Sequence, residues 1–318
     1  MKHIFIINPA AGKGKLQENI EKSIHHELKT KKIDYEVYIS KSKGDIKNFI
    51  TNKCEDNVQS VFYGCGGDGT LHEVVNACIG FENTYIGVIP CGSGNDFVKN
   101  FDNHDYFYNI DSQVNGEVIN LDLIRAKDKY AVSVCNIGFD ADAAFSMHKF
   151  KKIPFITGSG CYIMSVIYNL SKKLGKKLDV IIDNNEVLKG SFLLGVVANG
   201  HSYGGGYKCA PLAEINDGIM DLCFVSNISR FKILSLLSSY KEGTHLTNEK
   251  LKDIIIYKKC KHVKIKSKEP INICIDGENF IHDEVELEVV KNILKFWIPK
   301  GVRVQTGQSF ATAQDENN

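Results

Sequence analysis

The chain has 318 residues, 43% of them hydrophobic and 24% charged, and a formal net charge of +1. That balance supplies core material for one large or two ordinary domains and gives no reason for extensive disorder. It excludes a global field that recruits nucleic acid, so any basic surface is a local patch.

His3 to Ile7 reads as a strand from its β-branched and aromatic content. Leu16, Ile20, Ile24 and Leu28 recur at four-residue spacing and predict a helix with one apolar face. Tyr35 to Ile39, Val58 to Tyr63 and Tyr85 to Ile89 follow as strands, with a short helix through Ile46 to Ile50. Leu71, Val74, Val75, Cys78 and Ile79 match a half-buried helix. Strands alternating with helices predict βαβ crossovers, hence an α/β domain with a parallel sheet, over residues 1–122.

From about Leu121 the pattern becomes strand-rich. Tyr130 to Ile137, Leu178 to Asp183, Val187 to Ala198, Gly218 to Val225, His262 to Ile265, Ile271 to Ile275, Val285 to Val290 and Leu294 to Ile298 all read as strands. Helices are predicted near Gly160 to Leu174 and Arg230 to Lys241. Asp183-Asn184-Asn185 and Asp276-Gly277 are hairpin-type turns. A mainly antiparallel β-sandwich over 123–304 is expected, with 305–318 as a polar tail that can return to the first domain.

Ten scattered cysteines, none at C-x-x-C spacing, argue for reduced thiols rather than a zinc site or redox pair. No apolar run approaches the roughly 18 residues that span a bilayer. The apolar start is also too short for a secretory signal. The expectation is a cytoplasmic protein.

Three glycine-bearing loops follow predicted parallel strands, where ligands of such sheets bind. Gly64-Cys65-Gly66-Gly67-Asp68-Gly69-Thr70 leads into a helix whose N-terminal amides suit phosphate. Its acid, Asp68, is sensible beside phosphates if Mg²⁺ lies between. Asn8 to Lys15 lacks Walker A spacing, and Pro90 to Phe97 is the third loop. Each alone can be a plain turn; three on one sheet edge point to a ligand.

Gly66-Gly67-Asp68-Gly69-Thr70 with Glu73-Val74-Val75-Asn76 resembles the signature of the diacylglycerol kinase catalytic domain, a family that includes sphingosine and ceramide kinases and soluble bacterial lipid kinases. Pro90-Cys91-Gly92-Ser93-Gly94-Asn95-Asp96-Phe97 resembles its second signature, and Asn8-Pro9 with Gly12 its opening loop. The likeness continues through Asn199-Gly200, Gly204-Gly205-Gly206, Ala210-Pro211-Leu212-Ala213 and Asn216-Asp217-Gly218 to Asp276-Gly277-Glu278. One departure is His72, where members usually have Asn.

The resemblance implies an ATP-dependent kinase of a lipid hydroxyl, diacylglycerol first, with the active site in a cleft between the domains. ATP phosphates would lie along Asn8, Pro9, Ala10, Ala11 and Gly12 and along Gly66, Gly67, Asp68, Gly69 and Thr70, followed by Leu71 and His72. Ser40, Ser93 and Asn95 would add polar contacts. Asp276 is the implied base, with Glu278 as its partner or the base itself; locally, Asp-Gly is equally a hairpin turn. A structural Mg²⁺ would sit on the Asp217 carboxylate and the carbonyls of Glu214 and Ile219, linked through water to Asp96, although the same segment also reads as a plain turn.

Lys149, Lys151 and Lys152 before Ile153-Pro154-Phe155-Ile156, and Lys172, Lys173, Lys176 and Lys177 after Tyr162 to Leu170, suit peripheral docking on anionic lipid. Ile163, Val166, Ile167 and Leu170 read as a core helix face. A homodimer stays open. The competing readings are a kinase of another lipid alcohol, an NAD kinase, which shares the Gly-Gly-Asp-Gly-Thr segment, and a non-catalytic nucleotide-binding regulator.

Overall fold

The computed structural model describes residues 1–14, 16–42, 44–150 and 158–307. Its contacts divide the chain into two units. The first is Met1–Leu123 with Ile215–Asp217 and Val290–Gln305; the second is Ile124–Glu214 with Gly218–Val289 and the chain from Thr306 on.

The first unit contains β1 (Lys2–Ile7), α1 (Leu16–Lys31), β2 (Tyr35–Ile39), α2 (Asp45–Glu55), β3 (Ser60–Gly66), α3 (Asp68–Cys78), β4 (Thr84–Pro90), β5 (Phe101–Asp102), α4 (Ile110–Val114) and β6 (Glu117–Ala126). The strands order as β4-β3-β1-β2 and every pair is parallel. Buried runs in β1 and β3 supply its core. Tyr63 of β3 stacks on Phe5 of β1 at 4.6 Å. Its other neighbour must be glycine, because a Cβ on Gly87 would lie 2.5 Å from the Tyr63 ring. His3 Nδ1 lies 2.9 Å from the Tyr63 hydroxyl, and burial pulls its imidazole down to about 4. Gln113 is buried and donates to the carbonyls of Val88 and Phe107 at 2.6 and 2.8 Å.

The second unit contains β7 (Lys129–Ala131), β8 (Val134–Gly138), α5 (Phe139–Phe150), α6 (Gly158–Leu170), β9 (Lys176–Ile182), β10 (Glu186–Ala198), β11 (Met220–Ser226), α7 (Arg230–Glu242), β12 (Ile255–Cys260), β13 (His262–Ile275) and most of β14 (Glu278–Ile298). A last short strand, β15 (Arg303–Val304), pairs β5 in the first unit. Strands β10 and β13 switch partners along their length. The first half of β10 pairs β9 and the second pairs β8 and β11; β13 likewise passes from β9 to β8. Each switch coincides with a break in register, at Phe192/Leu194 and at Lys266/Ile271. Such irregularities bend a strand and let one sheet fold over itself. The folded-over sheet encloses a core that includes Ile137, Val180, Val197, Phe224, Ile265 and Ile273.

Several elements differ from expectation. The pairs of short strands predicted at 262–275 and 285–298 are single long strands; in the first, a shift of register between Lys266 and Ile271 interrupts pairing without ending the strand. Strand β12 and helix α5 carried no clear periodic signal. Val290–Gln305 belong to the first unit, not to a second domain running to 304, because Phe296 and Trp297 are buried there. Residues 308–318, expected to fray, lie outside the described residues, as do Lys151, Lys152 and Ile153 to Ile156.

Candidate active site

Parallel strands carry their C-terminal ends to one side, so the loops after β1, β3 and β4 meet. Asn8 N–H donates to the Cys65 carbonyl at 3.0 Å, and its Nδ2 donates to Thr70 Oγ1 at 3.0 Å. Asn8 Oδ1 in turn accepts from Ala10 N–H at 3.0 Å, which closes the turn past Pro9 toward Ala11 and Gly12. Cys91 N–H donates to the Gly66 carbonyl at 2.8 Å. Asp68 Oδ1 accepts from Phe97 N–H at 3.1 Å and so ties the start of α3 to the third loop. Asn95, in the left-handed region at φ 50°, closes that loop on both polar atoms of Gly92, at 2.9 and 3.0 Å. Ser40 is buried and its N–H donates to the Ile7 carbonyl at 2.9 Å, beside the end of β1.

The glycines here have different reasons. A Cβ on Gly66 would meet Thr70 Oγ1 at 2.2 Å, and one on Gly92 would meet the Gly67 Cα at 2.5 Å. Those residues are small because the protein packs against itself. Gly69 is exposed, and nothing lies within 4 Å of where its Cβ would be. It sits in the first turn of α3, where amides have no preceding helical carbonyl. The amides of Thr70 and Leu71 turn back to the Gly67 carbonyl, at 2.9 and 3.2 Å.

Some expected contacts are not side-chain contacts. Leu71 and His72 are buried, and His72 faces Asn76 within α3, with Nε2 3.5 Å from Nδ2. The departure from Asn at position 72 therefore falls inside the unit, and any ligand contact there is through the backbone. Ser93 is exposed at the loop tip. Asp96 is buried and ion-paired with Lys99 at 2.6 Å, a partner that sequence reasoning did not supply.

In the second unit the Asp276 carboxylate accepts three backbone N–H groups: Val132 at 2.5 Å, Ser133 at 3.0 Å and Val134 at 2.9 Å. Asp276 and Gly277 both take positive φ, 44° and 89°, between the paired residues Ile275 and Glu278. Both local readings therefore hold: the dipeptide is a hairpin turn, and its acid reaches back to a second segment. The Val132 carbonyl accepts from Asn199 Nδ2 at 3.0 Å, and the Ser133 carbonyl accepts from Asn199 and Gly200 N–H at 2.8 and 3.0 Å. The Asn199-Gly200 and Asp276-Gly277-Glu278 motifs thus grip one strip, residues 132–134, where the strand expected from Tyr130 to Ile137 breaks between β7 and β8. Glu278 opens β14 and is half-buried.

Sequence reasoning named the three glycines at 204–206 but not the tyrosines and the acid that they bring together. Gly204, Gly205 and Gly206 all have positive φ and bring Tyr203 and Tyr207 into a mutual pair of backbone bonds, 3.0 and 2.9 Å. Tyr203 then donates to Asp140, whose carboxyl burial pushes up to about 6. Asp140, Tyr203 and Tyr207 line a cavity of about 10 Å³ closed by Ile233, Leu236 and Tyr240 of α7.

Glu214 Oε1 accepts from Gly307 N–H at 2.8 Å, and Gly218 takes φ 79° beside half-buried Asp217. Among the described residues no three His, Cys, Asp or Glu side chains gather to hold a metal. The set expected around Asp217 needs only one carboxylate and two carbonyls, which is not such a cluster. Among the described residues, too, no helix is long and apolar enough to cross a membrane.

Against known proteins, the diacylglycerol kinase catalytic domain matches residues 2–126, and the YegS C-terminal NAD kinase beta sandwich-like domain matches 131–298. These define a chain built of two successive parts of a kinase family. The chain belongs to the diacylglycerol kinase catalytic-domain family, in its YegS-like form. It is 28% identical to "Probable lipid kinase YegS-like" of Shewanella frigidimarina, over 83% of this chain and 84% of that one. It is 26% identical to a diacylglycerol kinase of Bacillus subtilis, over 67% and 69% of the two chains. A crystal structure of a diacylglycerol kinase from Bacillus anthracis shares the fold, with a TM-score of 0.68 at 20% identity over 94% and 97% of the chains.

Proposed function

We propose that the chain is an ATP-dependent lipid kinase that transfers the γ-phosphoryl group to a lipid hydroxyl, with diacylglycerol as acceptor and phosphatidic acid as product. The observation that carries this is Gly69, which is small with no protein neighbour to require it, at an amide-rich helix start held by the loops after β1, β3 and β4. A phosphate chain is the ligand such a place fits.

Magnesium would neutralise phosphate charge as the bond to the leaving ADP breaks. Asp68 would hold it at the nucleotide, and Asp217 with the carbonyls of Glu214 and Ile219 would hold a structural ion. The acceptor hydroxyl gives its proton to the Asp276 carboxylate as its oxygen bonds to the γ-phosphorus. The amides of Val132, Ser133 and Val134 fix that carboxylate in one orientation, as a base that must meet a hydroxyl requires. Glu278, two residues on, is the second candidate.

The test is transfer of labelled phosphate from ATP to diacylglycerol, ceramide, a sphingoid base, phosphatidylglycerol or undecaprenol in mixed micelles, with NAD as a soluble acceptor. Labelled phosphatidic acid is expected. Transfer to NAD alone, or nucleotide binding without transfer to any acceptor, sinks the proposal.

A further inference from the structure

Phe231, the second residue of α7, is 88% exposed, an extreme value for an aromatic side chain. It does not stand alone. Arg230 donates to the carbonyls of Leu170 and Lys172, at 2.7 and 3.0 Å, which fastens the start of α7 to the end of α6. On that end of α6, Ile167 is 57% exposed although its spacing suggested a core position, and Met164 is exposed one turn earlier. Residues 164–178 and 227–241 contain no Asp or Glu, yet carry Lys172, Lys173, Lys177, Arg230, Lys232 and Lys241. Lys176 is the exception in kind, since it is paired with Asp142 at 3.0 Å. In a chain of net charge +1, two acid-free stretches joined by Arg230 and bearing exposed apolar side chains are a local concentration of both features, although Asp142 of α5 lies beside Lys172, Lys173 and Lys176.

We infer that the α6–α7 junction is a docking surface for an anionic lipid bilayer, with Phe231 and Ile167 entering the headgroup region and Lys172, Lys173 and Lys232 lying against lipid phosphates. The chemistry favours this occupant over a second copy of the chain. A twofold contact would bring the same cations face to face, whereas a bilayer offers opposite charge and an apolar layer beneath it. The surface would bring the acceptor lipid within reach, and to that extent it rests on the proposed kinase activity. It keeps Lys172 and Lys173 of the patch that sequence suggested and adds an anchoring aromatic from α7, 59 residues after Lys172.

Cosedimentation of the full chain with vesicles of one part phosphatidylglycerol to two parts phosphatidylcholine, without nucleotide or acceptor lipid, separates docking from catalysis. Binding is expected to the anionic vesicles and not to pure phosphatidylcholine. Each lysine near such a surface contributes about fivefold, so Lys173→Glu with Lys232→Glu should weaken binding by about 25-fold or more. Phe231→Ser should weaken it about tenfold. Both variants should melt at the wild-type temperature, since none of these side chains is buried. Equal binding to neutral vesicles, or binding untouched by either variant, overturns the inference. So does a change in solution mass in Phe231→Ser without lipid, which would make the patch a contact between copies. A chain that docks as described but phosphorylates no lipid would refute the kinase proposal and leave this one standing.

Discussion

Replacing Asp276 by Asn separates shape from charge more sharply than the dipeptide alone suggests. Asn-Gly serves a two-residue hairpin as well as Asp-Gly does, so the turn itself loses nothing. The carboxylate, however, accepts three amides from residues 132–134. An amide side chain keeps one acceptor oxygen, and its NH₂ must face at least one of those N–H groups. In the better orientation Oδ1 keeps Ser133 and Val134, and the buried amide of Val132 meets a donor. A bond to a charged acceptor contributes about 1.5–3 kcal/mol, a neutral one about 0.5–1.5, and an orphaned buried donor costs about 1–3. Two weakened bonds and one orphan come to roughly 3–6 kcal/mol. Urea unfolding of Asp276→Asn followed by circular dichroism should show a loss of this order. Turnover per folded molecule should also fall by about 10²- to 10⁴-fold, the usual contribution of a general base. A stability change below about 0.5 kcal/mol would refute the claim that these amides depend on the charge. Normal turnover in the folded fraction would move the base to Glu278, with Glu278→Gln as the decisive variant.

Asp68→Asn should keep the Phe97 N–H bond through its remaining oxygen, and so its stability, but lose phosphoryl transfer at ordinary magnesium concentration; near-normal turnover would remove Asp68 from the metal. Gly69→Ala should fold normally and gain up to about 1 kcal/mol from helix propensity while nucleotide affinity falls, read by calorimetry. Gly92→Ala should instead destabilise by about 1–3 kcal/mol, because its Cβ meets the Gly67 backbone; equal behaviour of the two variants contradicts the distinction. His3 and His245 are both held near 4 by burial, against an unperturbed 6.5. The unfolded chain then binds more protons below 6.5, so their stability contribution is complete above that pH and is lost as pH falls toward 4. His245→Asn should flatten the acid limb of a pH series of unfolding midpoints. Asp140, raised from 3.8 to about 6, works in the opposite sense, and its contribution is lost as pH rises through that window.

The first unit was legible because its signals are local. Apolar spacing placed α1 and α3, and short β-branched runs bounded by glycine placed β1 to β4. The loops were legible for the same reason, although the sequence could not say which glycines serve the protein and which leave room. Gly66 answers to Thr70 within its own turn, and Gly92 to Gly67, a partner known only once β3 and β4 are adjacent. The second unit was legible as strand-rich but not in its connections. β10 and β13 change neighbours midway, and such a change depends on tertiary pairing that alternation does not encode. Residues 132–134 read only as part of a strand, and their hold on Asp276 was not legible because they act through backbone amides, which every residue but proline has. Asp140 lay in a stretch with no clear periodic signal, and only burial with Tyr203 marks it.

Strand β14 begins in the second unit and ends in the first, where Phe296 packs against Phe97, Phe101 and Phe107 and Trp297 donates to the Gln113 carbonyl. The parallel sheet therefore has β1 to β4 by Pro90, but the end of β14, which pairs β4 in parallel at Phe296, and two large aromatic side chains of its interior are missing until nearly the whole chain has been made. On the ribosome, then, the first unit cannot finish in synthesis order as amino-terminal domains generally do. It must wait, partly open, while the intervening strands emerge and fold. A fragment ending near residue 126, where the match to the catalytic-domain family stops, would be left in that same waiting state.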